Sequence, residues 1–248
     1  MAVAVLAAAL TGCTATTTPP PGPAPAPTGA ASPPATAGAP GPHDPAQESA
    51  QLRAVLAAPQ QPFSAILSVQ LTDGPLSVRR QGAINVAGDA QTGALGAVSV
   101  QQDVRTQTYL TVTRDAVYTR TGDRPWVTSA RSTQPLLADH RPMAEALLRA
   151  DPGSFHGMAK IRTLRGGTGF HLVGRLPVAE LAGALDADAR AHLAQHQVPD
   201  CATDLLIDGA GRLSELTLSC EANGYAVRST TGLAEFGPVA DTPPPADL

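Results

Sequence analysis

The stretch CATDLLIDGAGRLSELTLSC, running from Cys201 to Cys220, decides the reading of the fold. Two runs, 201–207 and 213–220, flank Asp208-Gly209-Ala210-Gly211, a cluster of turn formers, and together they read as a β-hairpin. In the register that sets Cys201 opposite Cys220, Leu205 falls opposite Leu216 and Ile207 opposite Ser214. One face then carries Cys201, Leu205, Ile207, Leu216, Leu218 and Cys220, and the other carries mainly Asp204, Glu215, Thr217 and Ser219. A single register satisfies both the apolar alternation and the closeness a disulfide requires. The alternative is two unrelated buried thiols. A structural disulfide belongs in an oxidising, extracytoplasmic compartment.

Outward from this hairpin the same period of two recurs. Asn223-Gly224 predicts a further turn and a third strand to Thr231. Upstream, Phe63, Ala65, Leu67, Val69 and Leu71 alternate with smaller or polar residues. Asp73-Gly74-Pro75 supplies the turn into a strand over 76–86. Strands are expected at 94–104, 107–113 and 116–121, leading to Trp126, and again at 158–164 and 169–175. Helical periods appear over 46–58, ended by Pro59, over 135–150 with an interruption near Pro142, and over 178–197. About nine strands joined mostly by short turns cannot make a doubly wound parallel sheet, which needs helical crossovers. The expected fold is α+β: a large curved antiparallel sheet with a few helices on one side. Such a sheet is a natural container, and its candidate cavity lining is Phe63, Leu67, Val69, Leu71, Leu205, Ile207, Leu216 and Leu218.

The chain has 248 residues, 43% of them hydrophobic, and a formal net charge of -4. It is long enough to bury a core, and its charge balance argues against a nucleic-acid partner. Only eight residues are aromatic, so that core is built from Val, Leu, Ile and Ala. Lys160 is the only lysine. The excess of Ala, Gly, Pro and Arg is what a high-GC, actinobacterial genome produces.

The first thirteen residues, MAVAVLAAALTGC, form an apolar run closing on Leu10-Thr11-Gly12-Cys13. This resembles a bacterial lipobox, which implies cleavage before Cys13 and a diacylglyceryl anchor on its sulfur. The run is too short to span a bilayer as a helix. No basic residue precedes Cys13, so this reading places the true start codon upstream of Met1. With Cys13 lipidated, Cys201 and Cys220 remain as a pair. Residues 14–45 include eleven prolines and carry no charge before Asp44, and they read as a disordered tether, glycosylated on its Ser and Thr residues or bare. At about 3.1 Å per residue in the polyproline conformation, it reaches on the order of 100 Å. Residues 46–237 read as the folded domain and 238–248 as a Pro-rich C-terminal tail.

The lipobox, the tether, Tyr109-Leu110-Thr111-Val112, Val117-Tyr118-Thr119-Arg120-Thr121-Gly122 running to Trp126, and Asp208-Gly209-Ala210-Gly211-Arg212-Leu213 ending near Phe236-Gly237 resemble the LppX/LprG group of actinobacterial cell-envelope lipoproteins. The likeness runs over roughly residues 46 to 245 by order of elements. It implies a half-barrel sheet with helices enclosing an apolar cavity, and a lipid or glycolipid ligand carried across the envelope. The family's site is a diffuse apolar lining, so it implies no catalytic residue.

Reactive constellations are sparse. His192 and His196, four apart on a predicted helix, make half a metal site, but a solvated helix face is the stronger reading and no metal is expected. Gly153-Ser154-Phe155-His156-Gly157 lacks the strand-turn-helix context of a nucleophile elbow and reads as a loop. Arg165-Gly166-Gly167-Thr168-Gly169 lacks the lysine of a phosphate loop and reads as a hairpin turn. Arg79 and Arg80 fit either anionic headgroups or water. The expectation is a protein without enzymatic activity or cofactor, anchored to the outer face of the cell membrane and binding or transferring lipid. The alternative is an envelope protein-interaction or sensor module without bound lipid, its partner unspecified.

Overall fold

The structure is a computed structural model and describes residues 44–248, except 89, 132–134, 162–166, 182 and 186. Helix α1 (Pro45–Ala57) opens with Asp44 as its cap, the carboxylate accepting from the Ala46 amide at 2.9 Å. Pro45, which the sequence reading left in the tether, is the first helical residue, a position where its missing N–H costs nothing. Cys13 and residues 14–43 lie outside the described residues.

Eleven antiparallel strands form one open sheet. Six make a meander: β1 (Phe63–Asp73), β2 (Leu76–Ala87), β3 (Ala90–Gln101), β4 (Val104–Val112), β5 (Ala116–Thr121) and β6 (Val127–Ala130). Helix α2 (Arg141–Ala150) then carries the chain to the far edge. From there β7 (Phe155–Lys160), β8 (Thr168–Pro177), β9 (Asp200–Asp208), β10 (Leu213–Ala222) and β11 (Tyr225–Gly237) return toward the centre, with α3 (Ala187–Gln195) between β8 and β9. The spatial order is β6-β5-β4-β3-β2-β1-β11-β10-β9-β8-β7, so the first and last strands pair in the middle. The sequence reading missed β6, whose four residues are all exposed and leave no apolar alternation to read. It also took 178–197 as one helix, where a short 3-10 turn (Val178–Leu181) precedes α3.

The inner face of the sheet is apolar because every second residue along each strand points to it. On β1 these are Phe63, Ala65 and Leu67, all buried. They close a core with Leu52 and Leu56 of α1, Met143, Ala144 and Leu147 of α2, and Leu193 of α3. Each fully buried leucine contributes about 2 kcal/mol, so α1 and α2 are held by side-chain burial. Curvature has local causes. Register shifts interrupt the ladders between β1 and β11, β9 and β10, and β7 and β8, and bulges bend strands. At Gly82 an added Cβ would stand 2.0 Å from the Ala94 carbonyl oxygen, so only glycine allows β2 and β3 to coil this closely.

Candidate functional site

All eight candidate lining residues share the inner face. Six are closed core: Phe63, Leu67, Leu205, Ile207, Leu216 and Leu218 are each at most 4% exposed. Val69 and Leu71 sit at the margin of that core and are half-buried. Two clefts among the described residues lie elsewhere. One of about 420 Å³ lies beneath the C-terminal tail, and one of about 250 Å³ lies between α1 and α2; none of the eight lines either.

Strand register shows what continues the inner face beyond Val69 and Leu71. Arg80 stands opposite Val69 and Val78 opposite Leu71 on β2; Ala97 and Ser99 follow on β3, and Thr108 and Leu110 on β4. All are half-buried, so the inner face runs out from the closed core into a half-buried margin of small and aliphatic side chains. Arg79 and Arg80 part company: Arg79 is exposed on the outer face, and Arg80 is half-buried in this margin. Sequence reasoning treated them as one pair. The signal that separates them is the tight turn after Asp73, which fixes the register of β2 on β1.

The deciding hairpin forms with its bridge. Cys201 and Cys220 are disulfide-bonded, with Cα atoms 4.2 Å apart. Leu205 faces Leu216, as read. Ile207 faces Leu213 and not Ser214, because a bulge absorbs Ser214 before Glu215 re-enters the ladder. At the turn the Asp208 carboxylate accepts from the Ala210 and Arg212 amides, both at 2.9 Å, and from Arg212 Nε at 2.7 Å. Gly211 takes φ +77°, and a Cβ there would meet Val55 of α1 at 2.8 Å. The Gly211 carbonyl accepts from His140 Nε2 at 3.0 Å, which places the proton on that nitrogen. Burial holds the His140 imidazole below its ordinary pKa. The Arg212 guanidinium lies over the Phe236 ring at 3.8 Å, and Phe236 meets Phe63 edge-on at 5.5 Å. This turn therefore docks the hairpin onto both α1 and the start of α2.

His192 of α3 and His196, just beyond its end, are not simply solvated. His192 Nδ1 lies 2.8 Å from Asp73 at the end of β1, and the buried Asp73 carboxylate also accepts from the Tyr225 hydroxyl. His196 stacks on Tyr225 at 4.0 Å. Desolvation, then the hydrogen bond to Asp73, push the Tyr225 phenol above its ordinary range. The group pins α3 to the sheet. Among the described residues no cluster of three or more His, Cys, Asp or Glu side chains is placed to hold a metal ion. Ser154 is buried in a 3-10 turn, while His156 is exposed and stacks edge-on with His171 at 5.6 Å.

No protein-family model and no curated protein matches the chain. Solved structures similar to it include the following three. The lipoprotein LppX of Mycobacterium tuberculosis is 12% identical, with 81% of this chain and 100% of that one covered and a TM-score of 0.41. The β-barrel-like DUF1849 protein of Brucella abortus is 10% identical over 74% of this chain and 100% of that one, at 0.25. A DUF1329 family protein of Desulfovibrio piger is 9% identical over 77% and 90%, at 0.21. These are distant likenesses. The curved sheet and its one-sided helices stand on the strand pairing itself. Among the described residues no helix is long and apolar enough to cross a membrane.

Proposed function

We propose that this chain is an extracytoplasmic lipoprotein, anchored to the outer face of the cell membrane through Cys13, that binds or transfers a lipid or glycolipid on the inner face of its sheet. The reading is of a binding protein, not an enzyme. One observation carries it: the apolar inner face does not end at the closed core but continues through Val69, Leu71, Val78, Ala97 and Leu110, all half-buried, with Arg80 among them. Aliphatic walls suit an acyl chain, and a cation part-way along suits an anionic headgroup.

A second reading, an envelope interaction module without bound lipid, is favoured by the tight packing of the six innermost candidates. Native mass spectrometry with lipid extraction separates the two, applied to protein lacking residues 1–13 and exported from an actinobacterial host. Reproducible adducts of lipid mass are expected. A clean apoprotein mass, with no uptake of added lipid, overturns the first reading in favour of the second.

A further inference from the structure

The opposite face of the sheet carries a second feature, independent of the lipid reading. The tail that follows β11 crosses the outer face of β2 to β5. The Ala240 amide donates to Asn85 Oδ1 at 2.9 Å, the Asn85 amide donates to Thr242 Oγ1 at 3.0 Å, and that hydroxyl donates to Thr92 at 3.1 Å. Farther along, Pro244 and Tyr118 wall the same cleft. The crossing ends at Asp247, whose Oδ1 accepts from Trp126 Nε1 at 2.9 Å and whose Oδ2 pairs with the Arg120 guanidinium.

The receiving groups belong to the sheet. Arg120 stands directly opposite Tyr109 across β4 and β5, and its guanidinium lies 4.8 Å from the Tyr109 ring centre and 4.7 Å from that of Trp126. Tyr109 is itself held, its hydroxyl 2.6 Å from the Gln107 amide. Two rings thus fix the cation before any acid arrives. The Arg120 side chain is 27% exposed against 61% for Asp247, so the receptor is set in the domain and the ligand rides on top. Arg120 Nε is buried with no acceptor among the described residues, which leaves one donor of the fork unused by the tail. A carboxylate seated on both donors would satisfy it.

We infer that Arg120, Tyr109 and Trp126 form a recognition site for a proline-rich segment bearing a carboxylate, filled in cis by the C-terminal tail and open to a segment of the same chemistry from a partner protein. The tail defines the preference, because the site holds Asp247 and the stretch Thr242-Pro243-Pro244-Pro245-Ala246 leads to it past Tyr118. Consecutive prolines fix an extended chain at little entropic cost, and aromatic surfaces receive such chains. An exposed ion pair is weak, so the tail is displaceable.

Trp126 is the only tryptophan, which makes its emission a direct probe of the site. The test uses the full chain, as wild type and as Asp247→Ala, titrated with a synthetic peptide of residues 238–248. Asp247→Ala should expose Trp126 to acrylamide quenching, and the peptide in trans should restore protection. The variant should bind the peptide roughly tenfold more tightly than wild type, whose own tail competes. A peptide carrying Asp247→Asn should bind about tenfold more weakly, and Arg120→Gln in the protein should abolish the response. Equal quenching of wild type and Asp247→Ala overturns the inference, as does equal binding of the Asp and Asn peptides. Circular dichroism confirms that each variant is folded.

Discussion

Asp208 shows how one side chain commits several elements. It is nearly buried, takes two backbone amides and the Arg212 guanidinium, and shapes the turn that both α1 and His140 contact. Asp208→Ala leaves Arg212 without its partner and two turn amides unmet, so a loss of about 3 kcal/mol is expected in urea unfolding. His140 sets a pH dependence. Above its ordinary value of 6.5 the imidazole is neutral in both folded and unfolded chains and contributes none. As pH falls below 6.5, the unfolded chain takes up a proton that the buried ring refuses. Stability then drops toward the lowered folded value, by up to about 1.4 kcal/mol per pH unit. Comparing urea midpoints at pH 7 and pH 5.5 for wild type and His140→Gln isolates this part, and the variant should lose less on acidification.

At the scale of elements, the β9–β10 hairpin and its disulfide are one unit. The bridge spans a sequence separation of 19, and closing a loop of that size stabilises by about 3 kcal/mol through the unfolded chain. Reduction, or the double substitution Cys201→Ser with Cys220→Ser, should therefore lower the unfolding free energy by that amount while leaving the far-ultraviolet spectrum unchanged. The hairpin was readable because two residue types, cysteines and alternating leucines, demanded the same register. The bulge at Ser214 was not readable. Nothing in Leu213-Ser214-Glu215 distinguishes an inserted residue from a paired one until Gly211 must dock on Val55 and Leu213 must reach Ile207.

Among the described residues, the sheet presents two different faces: an inner one that closes over a core and opens into the half-buried margin, and an outer one crossed by the tail. If the half-buried margin of the inner face takes an acyl chain, a charge there is costly and one on the other face is harmless. Val69→Asp should cut lipid adducts in native mass spectrometry roughly tenfold, and Gln70→Asp, exposed on the outer face of the same strand, should leave them unchanged. Equal adducts in both variants would place the lipid elsewhere.

Local chemistry was enough to determine the antiparallel class, the cysteine pairing, most turns and the apolar faces of β1, β9 and β10. Those rest on a period of two, on turn formers and on spacing, all written in adjacent residues. Where the two ends of the chain meet was not local. That β1 pairs with β11 and that Asp247 reaches Trp126 depend on residues more than a hundred positions apart. The same holds for which apolar residues are closed core and which are half-buried margin: Leu67 and Val69 read alike in sequence, and only the helices packed above the inner face separate them.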